Sequence, residues 1–153
     1  MKKGINWNKW TRKTHYWGSF VIILPISIVI ITGILLQLKK EVNWIQPPTS
    51  NAGHANAPTI SFDNILNSVK TADEANITSW DDVDRLDVRI DKGIVKVRGK
   101  NRWEIQIDTQ TGEVLQVAYR RSDLIESLHD GSWFHDKVKI WLFPPSGIIL
   151  FII

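Results

Sequence analysis

The sequence contains no cysteine and only one methionine among its 153 residues. The absence of cysteine excludes disulfide frameworks, thiolate zinc sites, iron–sulfur clusters and cysteine nucleophiles. At this length one small compact domain is expected, which excludes a large multidomain enzyme. The four histidines are the side chains best suited to bind a metal or cofactor.

Charge is missing from two whole stretches of the chain, residues 16–38 and residues 140–153. Residues 1–15 carry five basic side chains and no acid, whereas residues 39–139 have a net charge of −2. The overall charge of +3 therefore combines a basic arm with a slightly acidic segment. Acids and bases alternate along that segment, which argues against a nucleic-acid partner and predicts a solvated charged face on its strands.

The first uncharged stretch, residues 16–38, has 23 residues and reads YWGSFVIILPISIVIITGILLQL. Roughly 20 apolar residues cross a bilayer core as a helix, so this stretch predicts a transmembrane helix in contact with lipid. A cleaved signal peptide is the alternative, but the apolar run is too long and no small-residue cleavage site follows it. The positive-inside rule places the basic arm (1–15) in the cytoplasm and residues 39–139 outside, in the bacterial periplasm or extracellular space.

The second uncharged stretch follows Lys139 and reads IWLFPPSGIILFII. Fourteen residues are too few to span a bilayer as a helix, and Pro144-Pro145 disfavours a helix interior. We interpret residues 138–153 as the start of a second transmembrane helix that the sequence cuts short. A short re-entrant or interfacial tail is the alternative.

Between these stretches the pattern predicts a small α+β domain. Residues 39–58 form a linker, because Gln46–Pro58 is rich in proline, asparagine and small residues. Ser61 is placed to cap a helix with an apolar stripe at Phe62, Ile65, Leu66 and Val69. Period-two alternation then predicts four antiparallel strands, which are followed by a short helix capped by Ser122 and ended by Gly131. The predicted strand positions are Leu86–Ile90, Val95–Val97, Trp103–Ile107 and Leu115–Tyr119.

Three segments in order resemble the PepSY-associated transmembrane family. The hairpin IDTQTGEVLQV (107–117) is similar to the pattern that closes the sheet of a PepSY domain. The stretch RKTHYWGSF (12–20), with the later TGILL (32–36), resembles the family's first membrane helix. The segment LHDGSWFHDKVKIWLF (128–143) resembles the stretch that leads into the next helix, although His135 stands where the family commonly has glycine.

This resemblance implies a membrane-anchored α+β protein with a PepSY-like domain at residues 59–137. Longer relatives are linked to siderophore iron uptake, and some are haem-containing ferric-siderophore reductases that use membrane histidines. PepSY domains also occur in peptidase propeptides. The expected function is therefore a binding or accessory subunit in the bacterial inner membrane, without enzymatic activity of its own, in iron uptake. The alternatives are a haem-b subunit of a ferric-siderophore reductase and a peptidase regulator.

The candidate haem ligands are His15, His129 and, more weakly, His135, because a b-type haem takes axial imidazoles. His15 lies at the inner end of the first helix, and the other two lie at the outer end of the second. A bilayer core of about 30 Å separates these ends, so His15 cannot share one haem with either of them. Any haem therefore needs a second copy of the chain, another membrane subunit or residues beyond 153. His54 is expected to be solvated.

An acidic group precedes the first predicted strand, where Asp81, Asp82 and Asp84 lie close together. Carboxylates at this spacing offer weak cation binding. A capping or turn role is the interpretation that we favour, because Asp side chains accept hydrogen bonds from nearby backbone amides. No motif for hydrolysis or nucleotide binding is present.

Overall fold

The computed structural model describes residues 7–152 and divides into two compact units. A helical unit contains the described residues up to Gln37 and those from Leu124 onward. A sheet unit contains residues Leu38–Asp123. The elements in chain order are α1 Trp7–Gln37, α2 Phe62–Lys70, β1 Val83–Arg89, β2 Ile94–Gly99, β3 Trp103–Asp108, β4 Val114–Tyr119, α3 Arg121–His129, α4 Asp136–Trp141 and α5 Phe143–Ile152.

Helix α1 has 31 residues and, among the described residues, is the one helix that is long and apolar enough to cross a membrane. It begins at Trp7, well before the predicted start at Tyr16. Residues 7–15 contain neither proline nor glycine, so the backbone continues as a helix through the basic flank. The first six residues of the predicted arm lie outside the described residues. Most of the apolar surface of α1 is exposed, as expected of a helix surrounded by lipid.

The residues that follow α3 form two short helices in the helical unit. Helix α4 ends at Trp141, and α5 starts at Phe143 with Pro144 and Pro145 in its first turn. Proline is tolerated there because the amides of a first turn have no intrahelical acceptor. Helix α5 packs against α1.

The sheet unit confirms the predicted α+β layout. Its four strands form one antiparallel meander in the order β1-β2-β3-β4. The apolar face of the central strands packs against α2, where Ile65 and Val69 are buried. Ser61 caps α2 as predicted, since its hydroxyl accepts from the Asn64 amide at 3.2 Å. The strand side chains of this core are Val95, Val97, Ile105 and Ile107.

Two local predictions were wrong. Phe62 belongs to the apolar stripe of α2, yet it is 68% exposed because it lies at the first position of the helix, beyond the edge of the core. Ser122 does not cap α3, because the helix starts one residue earlier, at Arg121. The Ser122 amide instead donates to the Ile45 carbonyl oxygen at 2.8 Å.

The opposite face of the sheet is covered by residues 45–54, which we call the strap. The amide of Ser50 donates to Gln106 Oε1 at 2.7 Å, and Gln106 Nε2 donates to the Pro48 carbonyl at 2.9 Å. The amide of Ala52 donates to the Lys92 carbonyl at 2.9 Å. The proline-rich segment predicted as a linker thus forms a third layer of the sheet unit, over the face that carries the charged side chains.

Candidate functional site around His129

His129 is the last residue of α3 and is partly buried within the helical unit. Its Nδ1 lies 3.1 Å from the Val29 carbonyl oxygen and 3.0 Å from Thr32 Oγ1. The Thr32 hydroxyl donates its own proton to the Ile28 carbonyl oxygen at 2.5 Å. Because both oxygens facing Nδ1 act as acceptors, Nδ1 carries the ring proton, and neutral His129 keeps its lone pair on Nε2.

Gly33 makes room for this imidazole against α1. A Cβ atom at position 33 would lie 3.4 Å from Cε1 of His129. The pair Thr32-Gly33 therefore supplies both a hydrogen-bond acceptor and the space for the ring. These two residues and His129 belong to two of the motifs that resemble the PepSY-associated family. The structure brings the motifs into contact, which their separation of 97 residues did not predict.

The turn after His129 is held by an ion pair. Asp130 Oδ2 lies 2.6 Å from Lys139 Nζ, and the Ser132 amide donates to Asp130 Oδ1 at 2.9 Å. Burial raises the pKa of Asp130, but the bonds from Lys139 and Ser132 outweigh it and lower this pKa to about 2. Asp130 is therefore ionised at neutral pH and ties the segment that follows His129 to α4.

His135 and His15 lie in different environments from His129. His135 caps α4, and its Nδ1 accepts a hydrogen bond from the Lys137 amide at 3.1 Å. Neutral His135 consequently has its proton on Nε2 and no lone pair left for a metal. His15 is exposed on α1, 17 residues before Thr32, which corresponds to about 25 Å along the helix.

His54 is not solvated as expected, because this last residue of the strap packs against the end of β3. Its Nε2 lies 3.3 Å from both carboxylate oxygens of Asp108, and its side chain is 21% exposed. Nδ1 of His54 is buried without a hydrogen-bond partner. Gly93 lies directly below the ring, where a Cβ atom would come within 2.5 Å of His54. His54 therefore fastens the strap to the end of β3.

Within the acidic group, Asp82 holds a turn, in line with the interpretation that we favoured, whereas Asp84 lies in β1 and pairs with Arg85. Asp82 Oδ2 accepts hydrogen bonds from the amides of Thr78 at 2.8 Å and Ser79 at 3.0 Å. The backbone bond from Thr78 is the largest cause that lowers the pKa of Asp82. Across residues 7–152, no group of three or more histidine, aspartate or glutamate side chains is arranged to hold a metal ion.

The sequence reasoning missed a buried ionic cluster beneath the strap. Glu104, 1% exposed, is its centre. One carboxylate oxygen lies 2.7 Å from Arg120 Nη1, and the other lies 3.3 Å from Lys96 Nζ and 2.8 Å from Gln106 Nε2. Arg98 Nε lies 3.4 Å from Glu104. The prediction of a solvated charged face is therefore wrong for these residues.

Burial governs the electrostatics of this cluster. Desolvation is the largest effect on Lys96 and lowers its pKa, although the charge of Glu104 opposes the shift. Desolvation likewise lowers the pKa of Arg98, and the neighbouring Arg120 adds to this effect. Three cations thus share the one buried carboxylate of Glu104. Asp123 is a second acid, which contacts Arg120. Alternating charge in the sequence revealed that these side chains share a face, but not that the strap covers it.

Comparison with known protein families shows which family the chain belongs to. The model of the PepSY-associated TM region matches residues 12–153, nearly the whole chain. The chain belongs to this family. A comparison with curated proteins found no match, and neither did a comparison with solved structures.

Membership of the PepSY-associated family makes the chain a membrane protein with a PepSY domain. Helix α1 is its membrane helix and contacts the lipid bilayer. The matched region includes both the Thr32-Gly33 pair and His129. The contact between them thus lies within the region that matches the family.

Proposed function

We propose that the chain is an accessory subunit of the bacterial inner membrane, and that its sheet unit binds a partner protein outside the cytoplasm. The N-terminus is cytoplasmic in this proposal, and residues 39–139 are periplasmic or extracellular. The five basic residues before the uncharged part of α1 support this orientation. For the partner we favour a membrane protein of siderophore iron uptake, the process linked to the longer relatives. A second copy of the chain is the alternative.

The observation that carries the binding proposal is an exposed aromatic pair on the sheet unit. Phe62 is 68% exposed and Trp80 is 37% exposed, and their ring centroids lie 6.1 Å apart with an edge-to-face geometry. Phe62 belongs to the capped helix α2, and Trp80 opens the turn that Asp82 holds. Exposed aromatic residues on a rigid surface are typical anchors of protein interfaces, because they bury a large apolar area at low entropic cost.

Site-specific photocrosslinking tests this function. We expect p-benzoylphenylalanine at position 62 to yield one defined adduct in cells, identified by mass spectrometry as a membrane or iron-uptake protein. Trp80→Ala in the same background should weaken affinity by about 30-fold, because an aromatic anchor contributes about 2 kcal/mol. Val88, 48% exposed on β1, is the control position. An adduct no stronger than that at Val88, or one unaffected by Trp80→Ala, would contradict the proposal.

A specific observation also favours the haem-b reductase subunit as a second candidate. Hydrogen bonds to Val29 and Thr32 orient His129 and leave Nε2 unprotonated, as is usual for a ligand histidine. His129 would thus hold a haem through Nε2. A second imidazole at the same level would come from another copy or subunit, because His15 is too distant and His135 lacks a free lone pair. When bound, the haem would supply one-electron chemistry.

Absorption spectra of the purified protein test this candidate. We expect reduced protein to show the Soret and α bands of a b-type haem, and His129→Ala to abolish them. His135→Ala is the matched control and should leave the bands unchanged. Loss of the bands in His15→Ala would instead place the haem at the N-terminal end of α1. A colourless preparation, or a His129→Ala spectrum identical to that of wild type, would reject His129 as a haem ligand.

A further inference from the structure

A groove of ≈ 700 Å³ runs along the N-terminal half of α1 in the helical unit. Its lining residues on α1 recur every three or four positions and so occupy one face of the helix. Ile149 of α5 closes one side of the groove. The lining residues on α1 are Trp10, Lys13, Thr14, Trp17, Gly18 and Val21.

The chemistry of this groove changes along the helix axis. After Trp10 at the N-terminal edge, Lys13 and Thr14 form its polar end, and Gly18 and Val21 form an apolar end that begins about one turn further along. Trp17 is 54% exposed at the boundary between the two ends, the level that tryptophan prefers in a membrane interface. The order of cation, hydroxyl, tryptophan and small apolar residues matches the order of headgroup and acyl chain in a phospholipid.

The charges around the polar end of the groove indicate which lipid headgroup it would bind. No acid precedes Glu41 in the sequence, and helix α5 carries no charge. Lys13 takes part in none of the ion pairs found among residues 7–152. A smaller groove of ≈ 480 Å³ on the adjoining side of α1 brings Arg12 and His15 beside the same Trp10 and Thr14. The polar end of the groove is therefore cationic.

We propose that this groove binds one anionic phospholipid from the leaflet at the N-terminal end of α1. Lys13 and the Thr14 hydroxyl contact the phosphate, and an acyl chain lies along Gly18 and Val21. Arg12 at the same end of α1 strengthens the attraction to anionic lipid. Nothing in this site depends on the partner or haem proposals, because it uses neither the sheet unit nor His129.

Native mass spectrometry of the whole chain in mild detergent tests the proposal, with dioleoylphosphatidylglycerol and dioleoylphosphatidylcholine as separate probes. We expect one bound phosphatidylglycerol, favoured over phosphatidylcholine by at least about fivefold, the effect of one cation near the lipid surface. Lys13→Gln should abolish this preference. Lys40→Gln removes the same charge beyond the other end of α1 and should retain the preference. Gly18→Leu should reduce the binding of both lipids by filling the groove.

Four results would overturn the proposal. Equal binding of the two lipids by wild type would contradict the assignment of an anionic headgroup. An unchanged preference in Lys13→Gln would show that Lys13 does not contact the phosphate. Displacement of the lipid by excess inorganic phosphate would reveal a simple anion site without an acyl subsite. Loss of lipid together with dimer formation would show that a second copy of the chain fills the groove.

Discussion

Glu104→Ala is expected to destabilise the sheet unit by about 3–5 kcal/mol, a large fraction of the stability of a small domain. The substitution leaves Lys96 and Arg120 as buried cations that have lost their shared carboxylate. It also removes the acceptor at 2.8 Å from Gln106 Nε2. The strap also contacts Gln106, so the substitution should weaken the hydrogen bonds between the strap and the sheet as well.

Hydrogen exchange measures this loss in the intact membrane protein. The slowest amides of β2 and β3 should exchange about 200- to 5,000-fold faster in Glu104→Ala, because their protection reports the opening free energy of the unit. Glu113→Ala removes an exposed carboxylate from the same sheet unit and should change these rates by less than about threefold. Equal rates in the two variants would show that the cluster contributes little to stability.

Gly93→Ala is expected to detach the strap and to cost about 2–4 kcal/mol. Gly93 has φ +65°, a left-handed conformation that costs a residue with a Cβ about 1–2 kcal/mol. The new methyl group would also meet the His54 ring at 2.5 Å and the His54 carbonyl oxygen at 2.6 Å. Since the clash involves backbone as well as side chain, rotation of His54 alone cannot relieve it.

Gly53→Ala is the matched control, because Gly53 has φ +82° but open space where a Cβ would lie. It should show the conformational cost without the clash. Hydrogen exchange of the Ala52 amide, which donates to Lys92, is the measurement. We expect it to accelerate at least tenfold more in Gly93→Ala than in Gly53→Ala. Similar acceleration in both variants would mean that the His54 contact does not hold the strap.

Patterns that depend on neighbouring residues predicted much of the fold. Alternation along the strands predicted their number and approximate positions, because successive side chains of a strand point to opposite faces. The Ser61 cap was also predictable, since it acts only three residues away. Phe62 shows where such patterns fail: its spacing fits the buried stripe of α2, but burial depends on how far the sheet extends beneath the helix.

The candidate site could be predicted only in part. His129 was identified from its motif, but its hydrogen bond to Thr32 joins residues 97 positions apart. The strap contacts of Gln106 likewise cross more than 50 positions. Local sequence carries no signal for such pairings. It indicated which polar side chains share a face of the sheet, whereas the chain segment that covers this face became evident only in the structure.

We propose that α1 crosses the membrane and leaves the sheet unit on the side opposite the N-terminus. Because the chain has no cysteine, single cysteines at the exposed positions Asn8 and Asn56 can be labelled without background. A membrane-impermeant maleimide applied to intact spheroplasts should label Asn56→Cys, and should label Asn8→Cys only after the membrane is permeabilised. Labelling of Asn8→Cys in intact spheroplasts, or protection of Asn56→Cys, would contradict this topology.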